Sequence, residues 1–332
     1  MNTRSFARTT QSVSEVGLGC WQFGGDWGTC SDEDATSTLA AAVDAGITFF
    51  DTADVYGRGR SESLIGGFLK ERKLRGKIYV ATKLGRLAGY PSAYTPELFR
   101  KCTEDSLKRL GLAALDLAQL HCVPKHYLKT GEVFGWLETL KKEGKIKAYG
   151  ASVESMEEAQ LCLQYEGCSS LQIIFNIFRQ KPIHSLFERA KAKGVALIIR
   201  LPLASGLLAG KYTKETTFEP QDHRTYNRDG QAFNVGETFA GLPFPVGVEC
   251  AQHVKEIFSA AGLLDNATMA QQSMRWILDH DAVSVVIPGA KDGSQAMNNA
   301  AASDLPPLPK SVHESLAKLY EKQVRGQIRG TY

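Results

Sequence analysis

The chain has 332 residues, enough to bury a large core, and its 39 basic and 36 acidic side chains leave a formal charge of only +3. So even a balance gives no reason to expect a nucleic acid or an anionic membrane as partner. Seven cysteines are scattered without a disulfide pattern or a metal-like pair, and the opening MNTRSFARTTQSV has no apolar signal region. A reducing, cytoplasmic setting is expected, and with no HExxH pattern no metal site is expected.

Taken in order, a polar lead through residues 11–15 reaches an apolar stretch in which Val16, Leu18 and Cys20 suit a first strand. WQFGGDWG follows as a glycine-rich loop. Trp21, Phe23 and Trp27 are too apolar for an ordinary loop and suit either the wall of a pocket or a plug. Ser31 or Asp32, followed by acids, starts a helix that runs to Gly46. Residues 47–50, ITFF, read as a strand buried on both faces, and polar groups begin where it stops: Asp51, Thr52, Asp54 and Tyr56. A helix from Ser61 leads to a strand at 77–83 that ends in Lys83. Thr95-Pro96-Glu97 opens the next helix with a threonine cap, a first-turn proline and an acid, and Gly111 stops it. A strand at 114–120 then delivers His121, and VFGWLETLKKEGK reads as an amphipathic helix with lysines in its last turn.

Further strands are predicted at 146–150, 171–175 and 195–200, followed by a break in pattern over 205–249 that is too long for an ordinary connector and suits a functional loop. Two helices, an eighth strand at 282–287, and helices at 291–301 and 312–327 complete the reading. Strands recurring with helices at intervals of roughly 25 to 35 residues predict an α/β architecture. An open doubly wound sheet shares this period, but the dinucleotide fingerprint it would need is absent. Asp51, Lys83 and His121 each stand at or just past a strand end, with Tyr56 close behind Asp51. They converge only if the strands are parallel neighbours, and Asp51 is then the partner that offsets the cost of burying Lys83.

In these pieces the chain resembles the aldo-keto reductases. VGLGCWQFGG, FFDTADVYG, ATKLG, LDLAQLH, GKIKAYGAS, PLASGLLAGKY and VVIPGAKDGSQ occur in the family's order and span nearly the whole length. The resemblance implies a (β/α)8 TIM barrel forming a single domain over 1–332, with an N-terminal hairpin cap and long loops at the carboxyl face of the strands. It implies reduction of a small-molecule carbonyl by hydride transfer from NADPH, with a catalytic tetrad of Asp51, Tyr56, Lys83 and His121. Tyr56 would be the proton donor, Lys83 the charge beside it, Asp51 the group holding that lysine, and His121 the hydrogen-bonding partner of the carbonyl oxygen.

For the cofactor, the resemblance assigns Ser152 and Gln172 to the nicotinamide carboxamide and Arg200 to its ring. Leu203, Ser205, Gly206 and Lys211 fall to the pyrophosphate, under the loop after the seventh strand. Gly289, Lys291, Gln295 and Asn299 fall to the adenine end, Lys291 offering a cation to the extra phosphate of NADPH. Two departures stand out: Val153 where the family usually has Asn, and Arg200 where many members have an aromatic ring. Trp21, Trp27 and Tyr90 are expected to give the substrate pocket an aromatic character. Two other classes fit parts of the pattern: a Schiff-base lyase with Lys83 as nucleophile, and a catalytically weak NADPH-binding barrel serving as an accessory or partner-binding subunit. Protein partners and the particular substrate are not legible.

Overall fold

A computed structural model describes residues 1–6, 11–25 and 27–332. An antiparallel ribbon of β1 (Thr3–Ser5) and β2 (Ser12–Ser14) precedes eight parallel strands. These are β3 (Leu18–Gly19), β4 (Phe49–Asp51), β5 (Tyr79–Leu84), β6 (Leu115–His121), β7 (Ile146–Ser152), β8 (Cys168–Ile174), β9 (Ala196–Arg200) and β10 (Val283–Val286). Each pairs with its neighbour in chain order. Parallel bridges Val16–Val286 and Gly19–Gly289 join the first of the eight to the last, and the sheet curls into the (β/α)8 barrel that the resemblance implies.

Strand alternation organises the inside of the barrel. Phe49, Ala81, Leu117, Ala148, Ala196, Ile198, Val285 and Ile287 form one apolar cluster with Phe6 and Val13 from the ribbon. Phe6 packs against Phe49 and Tyr79, with ring centroids 5.4 and 5.1 Å away, so the ribbon seals the amino-terminal end. Burying one such ring contributes roughly 1.5–3 kcal/mol. Because side chains repeat with a period of two, the next residues on that inner face are Asp51 after Phe49, Lys83 after Ala81, and Gln119 and His121 after Leu117. On β7 the same face ends in Ser152, which pairs with Gln172 of β8. The barrel interior is therefore apolar below and polar at the carboxyl end.

The helices form where their caps require. Ser31 and Asp34 make a reciprocal capping box ahead of Asp32–Asp44, and Thr95 caps Pro96–Leu110, which ends on Gly111 in the left-handed region. Four short helices escape sequence reading: Lys125–Thr130, Met156–Cys162, Pro182–Ser185 and Phe187–Ala192 span too few turns to show a period. The predicted break at 205–249 also ends early, since a helix begins at Phe244 and runs to Ala260, its first turn holding Pro245. Up to that point the segment has only single-turn elements, including the short helix His223–Tyr226, and contributes residues to the cavity at the carboxyl face of the barrel. The predicted helix at 312–327 is α-helical over Lys310–Leu319 and continues as a wider turn over Tyr320–Val324.

Candidate active site

Lys83 is 1 % exposed, and all three hydrogens of its ammonium group are placed. Nζ donates to Asp51 Oδ1 at 2.5 Å, to the Thr52 carbonyl at 2.9 Å and to Tyr56 Oη at 3.2 Å. Burial works to strip its proton, but Asp51 and Tyr56 outweigh that and raise its pKa above the ordinary lysine value. A lysine held as ammonium with every hydrogen committed is a poor nucleophile, which removes the support for a Schiff-base reading.

Asp51 is held from its other side. Its Oδ2 accepts from Gln172 Nε2 at 2.7 Å and from Gln119 Nε2 at 3.2 Å, and the two amides meet at 3.3 Å. Gln119 was not singled out by sequence reading. The available signal was the period of two along LDLAQLH, which puts it on the same strand face as His121. Gln172, assigned to the nicotinamide, reaches the tetrad as well.

Tyr56 stands at the start of a tight turn, Tyr56–Gly59, against the loop after β3. A Cβ on Gly24 would lie 2.8 Å from the Gly57 nitrogen and 3.0 Å from the Tyr56 carbonyl carbon, so glycine is what lets the two loops touch. Burial pushes the Tyr56 phenol above its ordinary pKa, and Lys83 opposes that rise. His121 is driven well below the ordinary histidine value, first by burial and then by Arg86, Lys83 and Arg200. Its imidazole is neutral at neutral pH. Nδ1 is buried without a partner among the described residues, which leaves Nε2 as the nitrogen open to the cavity.

Above these groups lies a cavity of about 750 Å³. Asp51, Tyr56 and His121 line its floor, with Ser152, Gln172 and Arg200 beside them. Leu203, Ser205, Gly206 and Lys211 line the same cavity further along, and Gly289, Lys291, Gln295 and Asn299 its far end. Trp21 and Trp27 form a wall: Trp21 stacks on Tyr56 at 6.0 Å and meets Trp27 edge-on at 5.5 Å. Tyr90 sits at the rim and is 48 % exposed. The residues assigned to catalysis, cofactor and substrate thus lie at one cavity or, for Lys83, behind it, whereas Phe23 does not line it and is buried in the core.

Sequence reading missed the contributions from the long loop and from the turn after β5. His223 and Phe233 pack on Trp21, at 4.9 and 6.2 Å. Arg86 and Glu237 also line the cavity, and Arg86 Nη1 donates to Glu237 Oε1 at 3.1 Å. Arg200 Nη1 lies 3.5 Å from the same oxygen, and its Nη2 donates to the Val153 carbonyl at 3.2 Å. The two departures from the family pattern therefore meet, with Arg200 resting on the backbone of Val153. Donor atoms of Cys122, Glu154 and Glu237 fall within 4.8 Å of one another, but Arg86 and Arg200 already supply the countercharge a metal ion would bring.

Comparison with known proteins places this geometry. The model of the Aldo/keto reductase family matches residues 15–321. The chain is 30 % identical over 304 residues to aldo-keto reductase YhdN of Bacillus subtilis, covering 89 % of this chain and 86 % of that protein. Its fold is similar to that of the glycerol dehydrogenase AKR11B4 from Gluconobacter oxydans, with a TM-score of 0.77, 25 % identity, and coverage of 99 % of this chain and 98 % of that one. An aldo-keto reductase from Klebsiella pneumoniae in complex with NADPH is similar in fold as well, with a TM-score of 0.71, 22 % identity and full coverage of both chains.

Proposed function

This chain belongs to the aldo/keto reductase family, and we propose that it reduces an aldehyde or ketone to the alcohol using NADPH, with Tyr56 as general acid. The observation that carries this reading is the direction of one hydrogen bond. Lys83 donates to Tyr56 Oη, so the tyrosine oxygen is the acceptor there and its own hydrogen is left for another acceptor. A carbonyl oxygen seated between Tyr56 and the open Nε2 of His121 would be that acceptor.

The residues lining the cavity fit the cofactor. The Lys291 side chain is exposed, and among the described residues its ammonium meets no acceptor, which suits a phosphate beyond the adenine ribose. Gln295 Oε1 accepts from the Lys291 backbone N–H at 3.0 Å and Asn299 Nδ2 donates to the Gly289 carbonyl at 3.1 Å, so this end is braced by its own side chains. Ser152 and Gln172 would hold the carboxamide, and Arg200 would lie against the ring. The Klebsiella relative's complex with NADPH supports the same choice of cofactor.

The chemistry expected of the bound cofactor is delivery of a hydride to the carbonyl carbon. The protein's part is to manage the charge that grows on oxygen. A phenol with a raised pKa keeps its proton until that charge appears, and the ammonium of Lys83 stabilises the phenolate left behind. Neutral His121 donates a hydrogen bond without competing as an acid. Asp51, clamped by Gln119 and Gln172, fixes the lysine that does this.

The reading is tested by following NADPH oxidation with aromatic and short aldehydes, quinones and keto-sugars, and by titrating NADPH and NADH into wild type and Lys291→Ala. NADPH is expected to bind more tightly than NADH, and the substitution to narrow the ratio. An unchanged ratio would remove Lys291 from its role, and no oxidation with any carbonyl would count against a reductase.

A further inference from the structure

Below about pH 7 the charges of four side chains at the pocket do not cancel, and the excess has an address. Arg86, from the turn after β5, and Arg200, at the end of β9, both face the one carboxylate of Glu237, which the long loop brings in. The side chains are 16 %, 12 % and 4 % exposed, so solvent screens them weakly. Burial alone would keep Glu237 protonated, yet the two guanidinium groups outweigh it and hold its pKa below the ordinary glutamate value. Glu154, whose Oε2 accepts from Asn234 at 3.1 Å, is the next carboxyl. Burial and Glu237 push it up to about 7, so below that pH it adds little negative charge. Among these four described residues, two positive charges then face one full negative charge.

The donors of the two arginines differ in availability. Arg200 engages Glu237 and the Val153 carbonyl through its two terminal nitrogens, and its Nε, though without a partner among the described residues, is buried. Arg86 uses only Nη1, with Glu237 Oε1 at 3.1 Å and Oε2 at 3.4 Å, while its guanidinium lies 5.2 Å from the centre of the Phe233 ring. Among the described residues no protein acceptor meets its Nε or Nη2, and neither nitrogen is sealed from the cavity that Arg86 lines. Arg86 lines the same cavity as Tyr56 and His121.

We propose that the preferred substrate is a carbonyl compound carrying a carboxylate, and that this carboxylate docks on the open edge of Arg86 beside Glu237. The inference rests on the reductase reading and adds the substrate class. A net excess of one positive charge matches a monoanion better than a phosphate dianion, and the planar edge of guanidinium matches a carboxylate. Trp21, Trp27 and Phe233 line the same cavity as Arg86 and Tyr56 and offer apolar faces to a flat or aliphatic body.

The test compares 4-formylbenzoate with 4-formylbenzamide, which share the reacting aldehyde and nearly the same shape, by kcat/KM at pH 6. Binding of benzoate and benzamide to the NADP+-loaded protein is read in parallel from tryptophan fluorescence. Wild type should favour the acid in both measurements. Arg86→Gln should lower the acid-to-amide ratio roughly 10- to 100-fold, the worth of a charge-assisted hydrogen bond. Glu237→Gln should raise the ratio, because it removes the competing carboxylate. Opposite shifts cannot come from a general loosening of the loop, and a fall in both variants would overturn the proposal. Equal kcat/KM and equal binding of acid and amide would overturn it while leaving the reductase reading intact. Preferential benzoate binding with no NADPH oxidation by either aldehyde, or by any other carbonyl screened, would sink the reductase reading and keep the anion site. A preference for 4-formylphenyl phosphate over 4-formylbenzoate would overturn the carboxylate assignment.

Discussion

Lys83 and Asp51 illustrate how much a single pair decides in this barrel. Both are buried, and the carboxylate accepts from Lys83, Gln119 and Gln172 at once. Lys83→Met would leave Asp51 as a buried charge without its counter-ion, at a cost of roughly 3–5 kcal/mol. Adding Asp51→Asn should restore most of that stability without restoring turnover, and denaturant unfolding of the single and double variants checks it. No recovery in the double variant would mean that the pair is not the source of the loss. Asp54, three residues further along, gives a pH signature. It is 1 % exposed, and its carboxyl is pushed up to about 7, first by burial and then by Glu62, against the pull of Arg109, the Val55 N–H and Lys83. The folded state thus binds this proton more tightly than the unfolded chain, whose carboxyl has the ordinary value of 3.8. Its contribution to stability is full below about pH 4 and is lost as pH rises to about 7. Asp54→Asn should therefore match wild type near pH 4 and exceed it by roughly 3–5 kcal/mol at pH 8. A difference constant over that range would contradict the assignment.

Among the elements, the loop between β9 and the helix at Phe244 depends on contacts far away in the chain. Ser205 Oγ donates to the Glu237 carbonyl at 3.3 Å and accepts from the Phe239 N–H at 3.1 Å. From the other side Arg329 donates to the carbonyls of Gly241, Leu242 and Arg228 and pairs with Asp229 at 2.6 Å. Arg329→Ala removes one side chain that satisfies four acceptors, so amide hydrogens in residues 227–242 should exchange at least about tenfold faster, with the barrel strands unchanged. Unaltered exchange in that segment would show that Ser205 and Arg86 suffice to hold the loop. The same loop marks the limit of what was legible in the sequence. The strands announced themselves because buried, largely apolar runs end in Asp51, Lys83 and His121, and alternation fixes which face those residues share. Glu237 carries no such signal. Its partner Arg86 lies 151 positions earlier, in a turn without periodicity, and only the folded chain brings the two together.

At the scale of the whole molecule, closure of the barrel turns separate strand ends into one site. Among the described residues no helix is long and apolar enough to cross a membrane, and the apolar residues fill a barrel interior and a shell between strands and helices. The cavity runs from the tetrad to Lys291 and joins residues from both ends of the chain, as the reductase reading requires. That reading stands or falls on the proton of Tyr56. Tyr56→Phe keeps the ring and its stacking against Trp21 but removes the transferable hydrogen. The decisive measurement is the steady-state rate of NADPH oxidation with the best carbonyl substrate, taken alongside the NADPH dissociation constant of the same variant. Carbonyl turnover should fall by roughly two to four orders of magnitude while NADPH affinity stays within about threefold of wild type. A wild-type rate in Tyr56→Phe, with cofactor affinity intact, would contradict the assignment of Tyr56 as the acid.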